Sequence, residues 1–184
     1  MQNQEDETTI DERLAIRCQL GDRTAWEEFV GRWNPRLNHF LCRMINDPVA
    51  VEDLSQTIWL KVVRSLPQLN DPQKLGAWIY RIARTAVTDR LRTQYRSPIT
   101  VVRNETDPPK DDFAINQFIE SENIAAAMQK LHPEDREAIT LHYFHHLPVA
   151  DIAEVCNVPS GTIKSRMNRA RKALRHILES GDQS

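Results

Sequence analysis

Cysteine and glycine are scarce in this 184-residue chain, which holds three of the first and five of the second. Cys18, Cys42 and Cys156 are odd in number, far apart and without CxxC spacing, so neither a disulfide framework nor a zinc knuckle is expected and the three read as packed thiols. His142, His145 and His146 could offer ring nitrogens, but no Cys or carboxylate stands at useful spacing, and no metal is expected. The scattered Cys, His and acidic residues offer no nucleophile, base and orienter that survive helical placement, so no catalytic residue or cofactor is assigned and an enzyme is not expected. There is no apolar run of bilayer length, and Glu5, Asp6, Glu7, Asp11 and Glu12 give the start the wrong sign for secretion. A cytoplasmic chain without membrane insertion is the expectation.

Few glycines, little strand-like alternation and apolar residues at helical spacing in nearly every long segment point to an all-α chain. An apolar content of 40% with 27% charge suits one globular domain or two small ones. The formal net charge of −2 conceals strong segregation.

The segment PVADIAEVCNVPSGTIKSRMNRARKALRHIL, from Pro148 to Leu178, concentrates that segregation. Ile152, Ala153 and Val155 pin a short helix inward while Asp151 and Glu154 face water. Asn157 tolerates the left-handed backbone a tight turn needs, and Ser160 suits the N-cap of a second helix. Ile163, Met167, Ala170, Leu174 and Ile177 or Leu178 form one apolar stripe, and Lys164, Arg166, Arg169, Arg171, Lys172 and Arg175 occupy the opposite face with no acid before Glu179. This helix-turn-helix fits the major groove of duplex DNA. Lys164, Ser165 and Arg169 are base-edge candidates, while Arg166, Arg171, Lys172 and Arg175 suit phosphates or acidic neighbours. The competing reading is a solvated basic helix in an ordinary bundle.

The architecture expected is two small helical domains joined by an acidic, Pro-containing linker, with residues 10–97, 98–114 and 115–179 as the three parts. Pro98, Pro108 and Pro109 with Glu105, Asp107, Asp111 and Asp112 resist packing, as a plain spacer or as a functional tether. In the C-terminal domain Ile119, Ala126, Leu131, Ile139, Leu141 and Phe144 complete the core. In the N-terminal one Trp26, Phe29, Val30, Trp33, Leu37, Phe40 and Leu41 point inward, and Asp22, then Asp47 with Pro48, then Asp71 with Pro72, punctuate the helices. The helix from Leu75 to Tyr95 sets Arg81, Arg84, Arg90, Arg92 and Arg96 against a single Asp89. Tyr80 and Tyr95 among arginines suit exposed bases, although buried aromatics are commoner and Trp78 reads as core.

Three stretches, VEDLSQTIWLKVVRSL at 51–66, WIYRIARTAVTDRLR at 78–92 and DIAEVCNVPSGTIKSRMNRARKAL at 151–174, together resemble the sigma-70 superfamily, specifically its two-domain extracytoplasmic function group. The resemblance spans nearly the whole chain. It implies a bacterial initiation factor that binds core RNA polymerase and promoter DNA and helps open the duplex, with an anti-sigma factor clamped over the DNA-reading surfaces as a further partner. Asp53, Gln56, Leu60 and Lys61 would meet the polymerase, and Asp53, Gln56 and Leu60 do share one helical face. Asn70, Asp71, Trp78, Tyr80, Arg81, Arg84 and Thr85 would take the melted minus-ten strand, although Thr85 stands where the family carries Asn, so the base preference there is not carried over. Ser160, Gly161, Thr162, Lys164, Ser165, Arg166, Asn168, Arg169, Arg171 and Lys172 would hold the minus-thirty-five duplex, with Asn157 replacing the commoner turn glycine. A conventional regulator that binds an operator without polymerase accounts for the helix-turn-helix and leaves residues 51–92 unexplained.

Overall fold

The computed structural model describes residues 2–96 and 122–181, with side chains over 9–93 and 124–180. The linker at 98–114, with all its prolines and acids, and Ile119 lie outside the described residues, as do the side chains of Tyr95 and Arg96. The described residues are helical, with no strand among them. In chain order the helices are α1 (Gln2–Gln19), α2 (Arg23–Met44), α3 (Pro48–Ser65), α4 (Leu75–Arg96), α5 (Glu122–Gln129), α6 (Pro133–Ile139), α7 (Val149–Cys156) and α8 (Ser160–Gly181). None of the described helices is long and apolar enough to cross a membrane.

The helix starts follow from local chemistry. Asp22 accepts from the Thr24 and Ala25 backbone N–H groups at 2.9 and 3.2 Å, and Asp47 from Ala50 at 3.2 Å with Pro48 behind it in the first turn. Hydrogen bonds from Thr24 and Ala25, then Arg17, hold the Asp22 carboxyl down to about 2. Gly21 supplies the positive φ of +84° that turns α1 into this cap. Asp71 caps a 3-10 turn at Pro72–Lys74, and α4 continues from it.

Phe29, Trp33, Leu37, Phe40 and Leu41 are buried on α2, and Ile58, Val62, Leu66, Ile79 and Ala83 pack on them from α3, the turn after it and α4. Val30, expected inward, is exposed because it sits one residue round from Phe29 on the outer face of α2. Trp26 is partly buried against this core. In the second unit Ala126 is exposed, and the adjacent Ala127 and Met128 take the core positions with Leu131, Ile139 and Ala170. The segment Thr140–Phe144 widens into a π turn after α6 and delivers Leu141 inward, and His146 then takes a left-handed φ of 54°. The larger apolar cluster does not stop at the domain boundary. It runs from Leu14 through Tyr80 to Leu147, Ile152, Val155 and Ile163.

Candidate nucleic-acid interface

In the helix-turn-helix, Ile152, Ala153, Val155 and Cys156 bury one face of α7. Asn157 is left-handed, with φ 52° and ψ 51°, as the turn requires, and the Val158 N–H donates to the Ala153 carbonyl at 3.1 Å to close it. Ser160 is the first helical residue of α8 and not its cap, because the Pro159 carbonyl takes the Thr162 and Ile163 N–H groups at 2.9 and 3.4 Å. Ser160 and Gly161 are exposed, and nothing lies within 4 Å of where a Gly161 Cβ would stand. An anion can therefore reach the first turn of α8, where backbone N–H groups and the helix dipole favour it.

The ten residues expected to hold duplex DNA divide on inspection of α8. Gly161, Ser165, Asn168 and Lys172 point furthest from the buried line of Ile163, Met167 and Ala170, with Lys164 and Arg171 exposed beside them and Thr162 half-buried. Arg166 is not on that outer face. It is buried with its Nη2 2.7 Å from Glu134, so it meets the acidic neighbour that was one of its two expected roles. Arg169 lies on the flank, its guanidinium bidentate on Asp135 through Nη2 at 2.7 Å and Nε at 3.2 Å. Its fork is thus engaged by protein, whereas Asn168 presents an exposed amide with no such engagement among the described contacts.

On the other basic helix, α4, Arg81 and Thr85 are exposed and Trp78 is half-buried, and Asn70 and Asp71 are exposed in the loop before it. The Thr85 hydroxyl donates to the Arg81 carbonyl at 2.9 Å, leaving its oxygen lone pairs outward. The aromatic pair reverses its expected roles. Tyr80, a candidate for base stacking, is 2% exposed, and Trp78, expected in the core, is the partly accessible ring. Tyr80 packs on Phe40 with ring centroids 5.4 Å apart, and its hydroxyl lies 2.7 Å from His145 Nδ1. Arg84 pairs with Glu137 at 3.1 Å and Arg90 with Asp47 at 3.3 Å, which leaves Arg81 and Arg92 as the exposed cations among the four of the five expected arginines whose side chains are described.

Sequence reasoning passed over the residues that tie the two units together. Asp151 and Glu154, expected to face water, meet Lys74 Nζ at 2.7 and 3.3 Å. Burial, then the charges of His39, Arg43, Arg36 and His146, lowers the His145 imidazole to about 3, so it is neutral beside Tyr80. Arg43 lies 3.5 Å from the Phe144 ring centroid and donates to His39 Nε2 at 2.9 Å. His39, lowered to about 4 by burial and by Arg43, completes this patch. The only available signal was the i, i+3 spacing of Asp151 and Glu154, which sets two acids on one face of a short helix.

Asp53, Gln56, Leu60 and Lys61 on α3 are all exposed, and Leu60 keeps 59% of its surface and Val63 47%. Cys18 and Cys156 are buried as expected, and burial raises their thiols to about 11 and about 12, whereas Cys42 is exposed. No group of three His, Cys, Asp or Glu residues able to hold a metal occurs among the described residues; His145 meets the Tyr80 hydroxyl, and His142 Nδ1 lies 3.1 Å from the Leu147 carbonyl.

Two helical units, one with a helix-turn-helix and the other with a basic helix that carries the half-buried Trp78, fit a DNA-binding transcription protein. Family comparison is more specific. Residues 29–97 match the model of sigma-70 region 2 and residues 121–174 that of sigma-70 region 4. The chain is 30% identical over 162 residues to the RNA polymerase sigma factor SigZ of Bacillus subtilis, covering 84% of this chain and 85% of that one. It is 27% identical over 170 residues to the ECF RNA polymerase sigma factor SigW of the same organism, covering 86% and 91%. Among solved structures, the sigma factor RpoE in complex with the anti-sigma factor NepR from Bartonella quintana shares the fold with a TM-score of 0.72 at 24% identity, over 84% of this chain and 96% of that one. This chain belongs to the sigma-70 family, in its extracytoplasmic function group.

Proposed function

We propose that this protein acts in the cytoplasm as a transcription initiation factor and not as a catalyst: it docks on core RNA polymerase through α3, holds the minus-thirty-five duplex with α8, and captures the melted minus-ten strand with α4 and the loop before it. The observation that carries this reading is the division of exposed groups among three helices. Asp53, Gln56, Leu60 and Lys61 present polar groups around an apolar anchor on α3. Ser165, Asn168 and Lys172 face out from α8, Arg81 and Thr85 are exposed on α4 with Trp78 half-buried beside Arg81, and Asn70 and Asp71 are exposed in the loop before it. Membership of the extracytoplasmic function group supports an anti-sigma factor as a further partner.

The two DNA contacts do different work. A phosphate at the open first turn of α8 fixes register, and the amide of Asn168 can then reach a base edge, adenine being the natural match. Capture of a flipped base costs a few kcal/mol of lost stacking, which an indole face and guanidinium contacts to the backbone offset. The polymerase supplies the chemistry. Trp78, Arg81 and Thr85 lie on α4, whose rigid backbone spaces them before any strand arrives.

Reconstituted transcription with core polymerase on a promoter library tests the reading. We expect selective initiation only with both components present, and Arg81→Ala should weaken binding of the melted strand and reduce its salt slope by about 0.7, as loss of one phosphate contact requires. Specific duplex binding by the chain alone at physiological salt, with no dependence on polymerase, would return the conventional regulator.

A further inference from the structure

The loop before α4 is gripped by a residue of a different helix. Gln19 closes α1, and its amide nitrogen donates to two carbonyls of that loop, Leu66 at 3.0 Å and Leu69 at 2.8 Å. Only the NH2 end of a glutamine can serve two carbonyls, and these bonds use both of its hydrogens. The donor is itself fixed in place. The Asp22 N–H donates to the Arg17 carbonyl at 3.1 Å and the Gly21 N–H to the Cys18 carbonyl at 3.0 Å, which locks the last turn of α1 around Gln19. Arg17 closes the same corner from its side chain, with Nε 2.8 Å from the Asp22 carboxylate.

What the grip controls is the direction in which the chain presents Asn70. Leu66 is buried and Leu69 packs half-buried on the core, whereas Asn70 and Asp71 are exposed. The Leu69 N–H donates to the Leu66 carbonyl at 3.0 Å, so Gln19 binds the carbonyls at both ends of one tight turn. Leu69 lies outside that turn, Leu66–Gln68, and outside the next, Pro72–Lys74, so no helical ladder takes up its carbonyl. The Leu69 carbonyl and the Asn70 nitrogen belong to one planar peptide, so the 2.8 Å bond also orients the start of Asn70. Leu69 in turn borders a small cleft with Ala77, Trp78 and Arg81 of α4.

We propose that Gln19 is a positioning residue for base selection in the melted strand: its amide holds the 66–71 loop so that Leu69 walls the cleft beside Trp78 and Asn70 stands at its approach. The inference rests on the assignment of strand capture to α4 and this loop. Gln19 touches no nucleotide and acts through the two carbonyls. Affinity and selectivity therefore divide. Phosphate contacts from α4 do not depend on the loop, but reading a base does, and a loop that leaves this arrangement weakens the matched strand in proportion to the time it is away.

The full chain bound to core polymerase tests the clamp, with dye-labelled single strands that carry either the minus-ten sequence selected from the promoter library or a scrambled one. Gln19→Met keeps the shape and loses both donors, and Gln19→Lys returns a donor of similar reach. Gln19→Met should lower affinity for the selected strand about fivefold, with the scrambled strand, its salt slope and retention by polymerase unchanged, and Gln19→Lys should restore most of the preference. A preference that survives in Gln19→Met overturns the clamp. So does an equal loss for both strands, or a loss that Gln19→Lys leaves unrepaired, since either would trace to packing alone. Failure of strand capture itself shows separately. An unsubstituted chain with no preference between the strands, or an Arg81→Ala chain that holds the selected strand as tightly as before, removes the capture role and the clamp with it.

Discussion

Arg166 and Asn168 stand two positions apart on α8 and face opposite fates. The charge pattern put Arg166 on the outer face, because a guanidinium reads as a surface group, and the family resemblance named both for the duplex. In the structure the aliphatic stem of Arg166 packs inward and its head reaches Glu134, an arrangement a long amphipathic side chain allows and a hydropathy pattern cannot distinguish. Arg169 is turned aside by Asp135 in the same way. Asn168 and Lys172 stay exposed, and under the proposed duplex reading they separate two kinds of contact. Asn168→Ala should cost about 1–3 kcal/mol at one upstream promoter position and little elsewhere, whereas Lys172→Ala should weaken binding to all sequences alike. A panel of single-base promoter variants, assayed with polymerase, reads both. A uniform loss for Asn168→Ala would demote it to the phosphate class.

Helices announced themselves far better than their neighbours did. Asp22, Asp47 and Asp71 marked helix or turn starts that the structure confirms within a residue or so, since a cap is a local bond between a side chain and its own next turn. The left-handed Asn157 was equally local. Tyr80 was not, because its burial depends on His145, which lies 65 residues away in sequence. Element α3 shows what locality does permit: Asp53, Gln56 and Leu60 recur at helical spacing and emerge on one exposed face. Asp53→Ala combined with Gln56→Ala should lower affinity for core polymerase while leaving helicity and melting temperature unchanged, as expected for surface groups outside any network. Co-purification beside circular dichroism measures the two together, and undiminished retention by polymerase would remove α3 from the docking role.

At the scale of the whole molecule the junction couples stability to acidity. Both His39 and His145 are held below the ordinary imidazole value of 6.5, chiefly by burial, and Arg43, Arg36, His146 and Tyr80 face them from the surrounding elements. The unfolded chain therefore binds more protons, so the stabilisation is complete above 6.5 and is lost as pH falls toward about 4 and about 3. Between about pH 7 and about pH 5, a window in which carboxylates stay largely ionised, we expect a loss of about 1–2 kcal/mol after discounting the part-exposed rings for solvent screening. Denaturant titrations across that window check it, and His145→Phe should flatten the dependence; an unaltered slope would place the protons elsewhere.

The exposed strip on α3 carries a final consequence. Leu60, Val63 and Val49 leave apolar surface in water on the helix proposed to dock on polymerase. Such a chain is suited to a short solitary life: made in excess of the surfaces that cover it, it will cling to itself, and its safe abundance in a cell is set by how much of its partners is at hand.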